Sequence, residues 1–472
     1  MKQFTKRFVS MMLVAVMLCC ISVSSSAAKH NASSCKLTPI IEVGGIGDAL
    51  YSDYGTENEK RYAVTSPDMD ALMSKLLEIL TKVAWGFIDT SSAVDGLKLL
   101  AETLFGAYAM DDKGKSILPI SAKPNEDPDT RDHTKGDKYR FTYDWRLDFS
   151  TNAVRLNTFI NQVLRSTGHS KVSIMAHSEG GSIVTAYLAK YGSAKLENVV
   201  LLTVASGGVS MVDKLLTKQV NFDANTALAF LTNLVAGMMR GEWTSIPVQG
   251  LIYGVHYSGI LPLLCWILNG LVAAAGEELF DEVLIPLFCK WPVLWCFIST
   301  EEAYVQAKKI LLDPVKNKEF IKTVDKVHYN VTMRSKELFA MARDNGVKIS
   351  VIAAYGLPQM PVVTDSMTSS DALIDTSLES LGGTVADVGK TVGAQRKDLK
   401  HNHISPNKQV DASTCLFPES TWFIRDHMHF KWPPDSFLDY LLTSKKQPTI
   451  TSNTSYPQFL TYDADGNLIA DS

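Results

Sequence analysis

The chain has 472 residues, enough for two or three average domains or for one large α/β core carrying an insertion. With 46% hydrophobic and 20% charged residues its composition is globular, which excludes a disordered or fibrous chain. Its formal charge of −4 and the lack of a basic patch argue against a nucleic-acid partner.

Residues 1–28 stand apart. Lys2, Lys6 and Arg7 precede an apolar run from Phe8 to about Val23, and Ser24 to Ala28 supply small residues for a cut. That pattern predicts a secretory signal peptide, hence a secreted or extracytoplasmic protein, with an uncleaved anchor as the alternative. Met17 and Leu18 are too bulky for a lipidated Cys19. Beyond the expected cut lie Cys35, Cys265, Cys289, Cys296 and Cys415, enough for up to two disulfides with the pairing open. They lack the short paired spacings of a zinc site, so neither a metal nor a cofactor is expected.

"PIIEVGGIGDAL" from Pro39 predicts a buried strand entering a glycine-rich turn, and "RFTYDWRLD" from Arg140 another strand. A helix is predicted over Ala153 to Arg165, strands from Lys171, Asn198 and Lys348, and a late strand in "TWFIRD" followed by a helix from about Pro434. Such alternation predicts an α/β fold with a mostly parallel central sheet covered by helices. Residues 216–325 break the rhythm with dense apolar runs and Trp266, Trp291 and Trp295. A helical apolar cap is expected there; the run near Ile260 to Ala275 is short for a membrane span and is interrupted by Pro262 and Asn269. The end, 446–472, is expected as a polar tail in which "DADGN" is a tight turn rather than a calcium loop.

The stretch "KVSIMAHSEGGSIVTAYLAKYG" (171–192) passes from strand to helix within about one turn, with Ser178 at the bend. A serine there is lifted clear of both elements, and Ala176, Gly180 and Gly181 relieve crowding in a strained turn. The A-x-S-x-G pattern resembles a nucleophile elbow with alanine for the first glycine; the competing reading is a serine that caps the helix. A serine nucleophile needs a histidine to accept its proton and a carboxylate to orient that histidine, later in the chain and acid before base. "TDSMTSSDALIDT" offers Asp365, Asp371 and Asp375, and "RDHMHF" offers His427 and His429. Asp371 is favoured because S-D-A-L-I-D-T resembles the N-D-G-V-V-N-T acid loop of bacterial lipases, with Ala372 for the glycine. His429 is favoured over His427 because it lies nearer the closing helix. The oxyanion donors are expected to be the backbone N–H groups of Glu179 and Ile46.

"FTYDWRLD" resembles the Y-D-W-R stretch of the lecithin:cholesterol acyltransferase and lysosomal phospholipase family, "AHSEGG" its A-H-S-M-G-G elbow, and "PIIEVGGIG" its P-V-x-L-V-P-G opening. The resemblance covers about 39–209 and 348–435. It implies an α/β-hydrolase with a Ser178-Asp371-His429 triad acting on lipid acyl esters, by hydrolysis or acyl transfer. The domains then read as core over 29–215, cap or lid over 216–325 and core over 326–445. The cap is expected to touch a lipid surface transiently. Two further readings remain: an esterase or thioesterase for soluble esters, and a lipid-binding pseudoenzyme. The Asp-Trp-Arg cluster at 144–146 is expected to brace the loops structurally.

Overall fold

The computed structural model describes residues 37–63, 78, 82, 90–130, 138–238, 245–393 and 402–472. The expected signal peptide and Cys35 lie outside the described residues. The chain is mixed α/β, built on an eight-stranded sheet. Its strands, in chain order, are β1 (Ile40–Val43), β2 (Lys138–Phe141), β3 (Val172–Ser178), β4 (Leu196–Val204), β5 (Lys348–Tyr355), β6 (Thr421–Arg425), β7 (Phe459–Tyr462) and β8 (Leu468–Ala470). Across the sheet they run β8-β7-β6-β5-β4-β3-β1-β2, and every neighbouring pair is parallel except the antiparallel β7 and β8.

Alternate residues of these strands feed two apolar layers. Ile41, Val43, Ile174, Ala176, Val199 and Leu201 face one layer, and Ile40, Met175, Val200 and Leu202 the other. A sheet covered on both faces needs near-continuous apolar strands, which is why β3 and β4 read as runs rather than as alternations. On the first face pack helices α2 (Phe149–Thr167) and α3 (Glu179–Tyr191), with helix α1 (Thr90–Phe105) farther out against the cap. The Asp148 side chain caps α2 by accepting from the Thr151 N–H, and Gly168 ends it with φ 71°.

After α4 (Ser210–Leu216), the 216–325 region contains α5 (Ala224–Met238), α6 (Ser245–Tyr257) and α7 (Ile260–Leu279), which kinks at Ala275 and continues through a π-helical stretch, Phe280–Leu284, to Leu287. The expectation that Pro262 and Asn269 interrupt this stretch is corrected. Pro262 falls in the first turn of α7, where its missing N–H has no intrahelical acceptor to lose. Asn269 turns inward instead, donating to the Phe222 carbonyl at 2.9 Å and accepting the Phe222 N–H at 2.8 Å. The helix Ile260–Leu287 has 28 residues and is long and apolar enough to cross a membrane by length and composition. Leu261, Cys265, Leu271 and Ala275 are buried on its inner side. The three tryptophans of the cap separate: Trp266 is 71% exposed, whereas Trp291 and Trp295 are core residues. Trp295 is pinned by its indole N–H on the Cys289 carbonyl.

The segment after 446 is not a tail. Phe459–Tyr462 and Leu468–Ala470 extend the sheet, joined by the turn at Asp463 to Asn467, where Gly466 takes φ 83°. At four and three residues these strands are too short to announce themselves in the sequence. The described cysteines Cys265, Cys289, Cys296 and Cys415 are all buried free thiols, so no disulfide forms among them.

The Asp144–Arg146 pair braces the turn after β2. Arg146 is fully buried and reaches the Asp144 carboxylate at 2.7 Å, the carbonyls of Tyr108 and Ile120, and the Ser116 hydroxyl. A buried ion of this kind persists only with most of its donors met. Arg146→Met would leave Asp144 buried and uncompensated, so urea unfolding is expected to show a loss of about 3–5 kcal/mol.

Candidate active site

At the C-terminal end of β3 the chain turns into α3 with no intervening loop, and Ser178 carries the turn at φ 56°, ψ −125°. That conformation is costly for a residue with a Cβ and persists where surrounding contacts over-determine it. The glycines around it explain how. A Cβ on Gly180 would lie 2.0 Å from the Val43 carbonyl oxygen, and one on Gly45 would lie 2.6 Å from the Ser178 Cβ. The turn after β1 therefore lies directly against the serine. Ile46, the next turn residue, is half-buried against the core. The Ser178 side chain makes no capping hydrogen bond to α3, so the capping role weighed for it does not hold.

The Ser178 hydroxyl instead donates to His429 Nε2 at 2.9 Å. His429 Nδ1 in turn hydrogen-bonds Asp371 Oδ2. Asp371 Oδ1 accepts the N–H groups of Leu373 (2.9 Å) and Ile374 (2.7 Å), and the His429 N–H donates to the Asp371 carbonyl at 2.9 Å. Two loops from distant parts of the sequence are thus tied by side chain and backbone together. Burial alone would raise the Asp371 carboxyl, but the charge and hydrogen bond of His429 outweigh it and hold the group below the usual carboxylate range. Ala372, standing where the lipase loop has glycine, takes φ 83°. The acid loop keeps a glycine-like shape at some cost in strain.

The other candidates go elsewhere. Asp365 is exposed, and Asp375 is buried against the Ser210 N–H and hydroxyl. His427 is fully buried with Nδ1 on the Tyr462 hydroxyl at 2.7 Å, and His177 points Nε2 at the His429 carbonyl at 2.8 Å. Burial pushes both imidazoles down to about 3, so they are neutral at ordinary pH.

Two functional neighbours were not singled out by the sequence for their side chains. Tyr143 donates its hydroxyl to the Gly44 carbonyl at 2.6 Å and lies 3.1 Å from Glu179 Oε2. Glu179 is fully buried, and burial raises its carboxyl well above the ordinary range. Glu179 and Tyr143 together prop the glycine turn against the elbow. The second neighbour is Glu379, buried beside Asp371.

Ser178, His429 and Asp371 are all buried, and a small apolar cleft lined by Phe230 and Leu234 of α5 with Leu357, Ala372 and Met428 lies beside them. No family model matches the chain, and no curated protein matches it. Among solved structures it is similar to a chain in the crystal structure of the Tle4-Tli4 complex, with a TM-score of 0.28 and 13% identity over 68% of this chain and 75% of that one. A likeness of that size leaves the functional argument to the geometry of the site.

The depressed histidines give a pH prediction with a definite sign. In the unfolded chain an imidazole titrates near ~6.5. Because the folded values of His177 and His427 are about 3, their contribution to stability is complete above the unfolded value and is lost as pH falls from there toward about 3. Glu179 and Glu379, whose folded values are raised, act oppositely and lose stability as pH rises above the unfolded carboxyl value. Comparison of wild type with His427→Gln isolates one group. Between pH 7 and pH 5 urea unfolding of the variant is expected to lose about 1–2 kcal/mol less than wild type.

Proposed function

We propose that the protein is a serine hydrolase of the α/β-hydrolase fold that acts on lipid acyl esters, by hydrolysis or acyl transfer, through an acyl-enzyme on Ser178. The observation that carries this reading is the unbroken hydrogen-bond chain from the Ser178 hydroxyl through His429 to Asp371, on a serine held in a strained strand-to-helix turn. Three groups drawn from residues 178, 371 and 429 have no structural need to meet in that order.

In the proposed reaction Ser178 Oγ attacks the ester carbonyl carbon while His429 Nε2 takes its proton, and Asp371 stabilises the imidazolium. The carbonyl π electrons move to oxygen, which the N–H groups of Ile46 and Glu179 are proposed to receive. Collapse expels the alcohol, which takes the proton from His429 and leaves an acyl ester on Ser178. Water or a second alcohol then attacks that ester, His429 again accepting the proton and returning it to Ser178. No cofactor enters this sequence.

The lipid reading rests on the cap and on the Y-D-W-R and elbow resemblance to the lecithin:cholesterol acyltransferase and lysosomal phospholipase family. Ile246, Tyr253, Tyr257, Ile260, Leu263 and Trp266 are exposed apolar residues along α6 and α7. Such a patch is unfavourable in water by about 25 cal/mol per Å² and favourable in acyl chains. With the triad buried beneath α5 and its neighbours, movement of this cap at a lipid surface would admit substrate where substrate is present. Export, read from residues 1–28, is part of the same proposal.

Two outcomes are expected. A fluorophosphonate probe should label wild type and not Ser178→Ala, and ester turnover should fall by roughly 10³-fold or more in Ser178→Ala and His429→Ala but not in His427→Ala. Full turnover in Ser178→Ala contradicts the assignment. Trp266→Ala should weaken binding to phosphatidylcholine vesicles by about 10-fold while sparing hydrolysis of a soluble short-chain ester. Unchanged vesicle binding removes the lipid-facing role of α7.

A further inference from the structure

Glu379 closes the one-turn helix Thr376–Glu379, and no part of it reaches solvent. Its Oε2 accepts the Ala354 N–H of β5 at 2.7 Å, whereas Oε1 receives no hydrogen bond from any N–H or conventional O–H donor among the described residues. What the carboxyl faces is the carboxyl of Asp371, and atoms of Asp371, Glu379 and His429 all lie within 4.8 Å of one another. A buried glutamate against a buried aspartate is an unstable arrangement if both are ionised, because two like charges share one dry site. One proton between them removes the conflict and supplies the missing partner of Oε1.

The surroundings decide which carboxyl holds that proton. Asp371 has the His429 imidazole on one oxygen and two backbone N–H groups on the other. Glu379 has one backbone N–H and two carboxyl neighbours, Asp371 and the helix N-cap Asp375, itself held by Ser210, while the nearby His429 imidazole spends its Nδ1 on Asp371. From β5 the titratable neighbour is Tyr355, whose hydroxyl is turned away to Asp471, and Lys336 lies at the Gly382 turn beyond. Asp371 is therefore the better anion and Glu379 the better acid.

We propose that Glu379 is an un-ionised carboxylic acid that donates its proton to Asp371, extending the relay to Glu379–Asp371–His429–Ser178 and acting as a positioning residue. This deepens the serine-hydrolase reading and rests on it. The donated hydrogen bond keeps Asp371 ionised in a site closed to water, and fixes the carboxylate plane that orients His429. A neutral donor does this without adding a second negative charge. Such a charge would raise the proton affinity of His429 and leave the base protonated over more of the pH range.

The test compares Glu379→Gln, which keeps a donor toward Asp371 and an acceptor for Ala354, with Glu379→Leu, which has neither. Fluorophosphonate labelling of Ser178 is run first on each protein, so that failure of the serine reading is seen separately. The expected result has three parts. The infrared difference spectrum at neutral pH, wild type minus Glu379→Gln, shows the C=O stretch of an un-ionised carboxylic acid lost in the variant, any band from Glu179 being common to both proteins and cancelling. The acid limb of kcat/KM for a soluble ester is unmoved in Glu379→Gln. In Glu379→Leu kcat falls about 10- to 100-fold with KM little changed. An acid limb moved to lower pH in Glu379→Gln would mean that a negative charge had been removed, and would overturn the proposal. So would the absence of that band from the wild type minus Glu379→Gln difference. A gain of activity on adding Zn²⁺ that is lost in Glu379→Gln would make the cluster a metal site instead. Should Glu379→Leu fail to fold, the infrared band and the Glu379→Gln profile decide alone.

Discussion

The whole site depends on how closely the turn after β1 approaches the bend at the end of β3. A methyl group at Gly180 would fall on the Val43 carbonyl, one at Gly181 would lie 2.4 Å from the Val204 Cβ, and one at Gly45 would strike Ser178 itself. Each of these contacts involves backbone or a β-carbon, so no side-chain rotation relieves it. The three glycines let two parallel strands and a helix meet with the serine at their junction. The strain at Ser178 is what that meeting leaves behind.

Around this junction the protein places ionisable groups where water does not reach and then controls which of them are charged. His177 and His427 are kept neutral by burial, the Glu179 carboxyl beside Tyr143 is raised well above its ordinary range by burial, and Asp371 is kept ionised by His429 and two backbone N–H groups. One imidazole, His429, has a carboxylate on one nitrogen and a hydroxyl on the other. Hydrogen bonds in such surroundings are stronger than in water, and unpaired groups cost more. The arrangement suits charge that appears and vanishes during a reaction. Helix α5 lines the small apolar cleft beside these residues.

Much of this was legible in the sequence because the relevant signals are local. The strand-to-helix switch around Ser178 shows in the change of apolar period, and β1, β5 and β6 show as apolar runs. Asp371 and His429 were legible through chain order and loop resemblance, and they lie within one hydrogen-bond chain with Ser178. Glu379 was not, because a glutamate in "TSLES" looks like a solvated helix residue and only the tertiary fold turns it inward. Trp291 and Trp295 misled for the converse reason: composition counts apolar residues without saying which face of the molecule they cover. Pro262 read as an interruption, yet its position in the first turn made it harmless. The strands β7 and β8 were missed because, at four and three residues, they are too short for period or composition to mark them.

The central claim is that Ser178 becomes esterified during turnover. Rapid acid quench of the protein with a chromogenic acyl ester, followed by intact-mass and peptide mass spectrometry, measures this directly. The expected result is a mass increase equal to the acyl group, confined to the peptide bearing Ser178, that forms at least as fast as turnover and decays on removal of substrate. Turnover with no acylated peptide, or with the acyl group on another residue, would contradict the account.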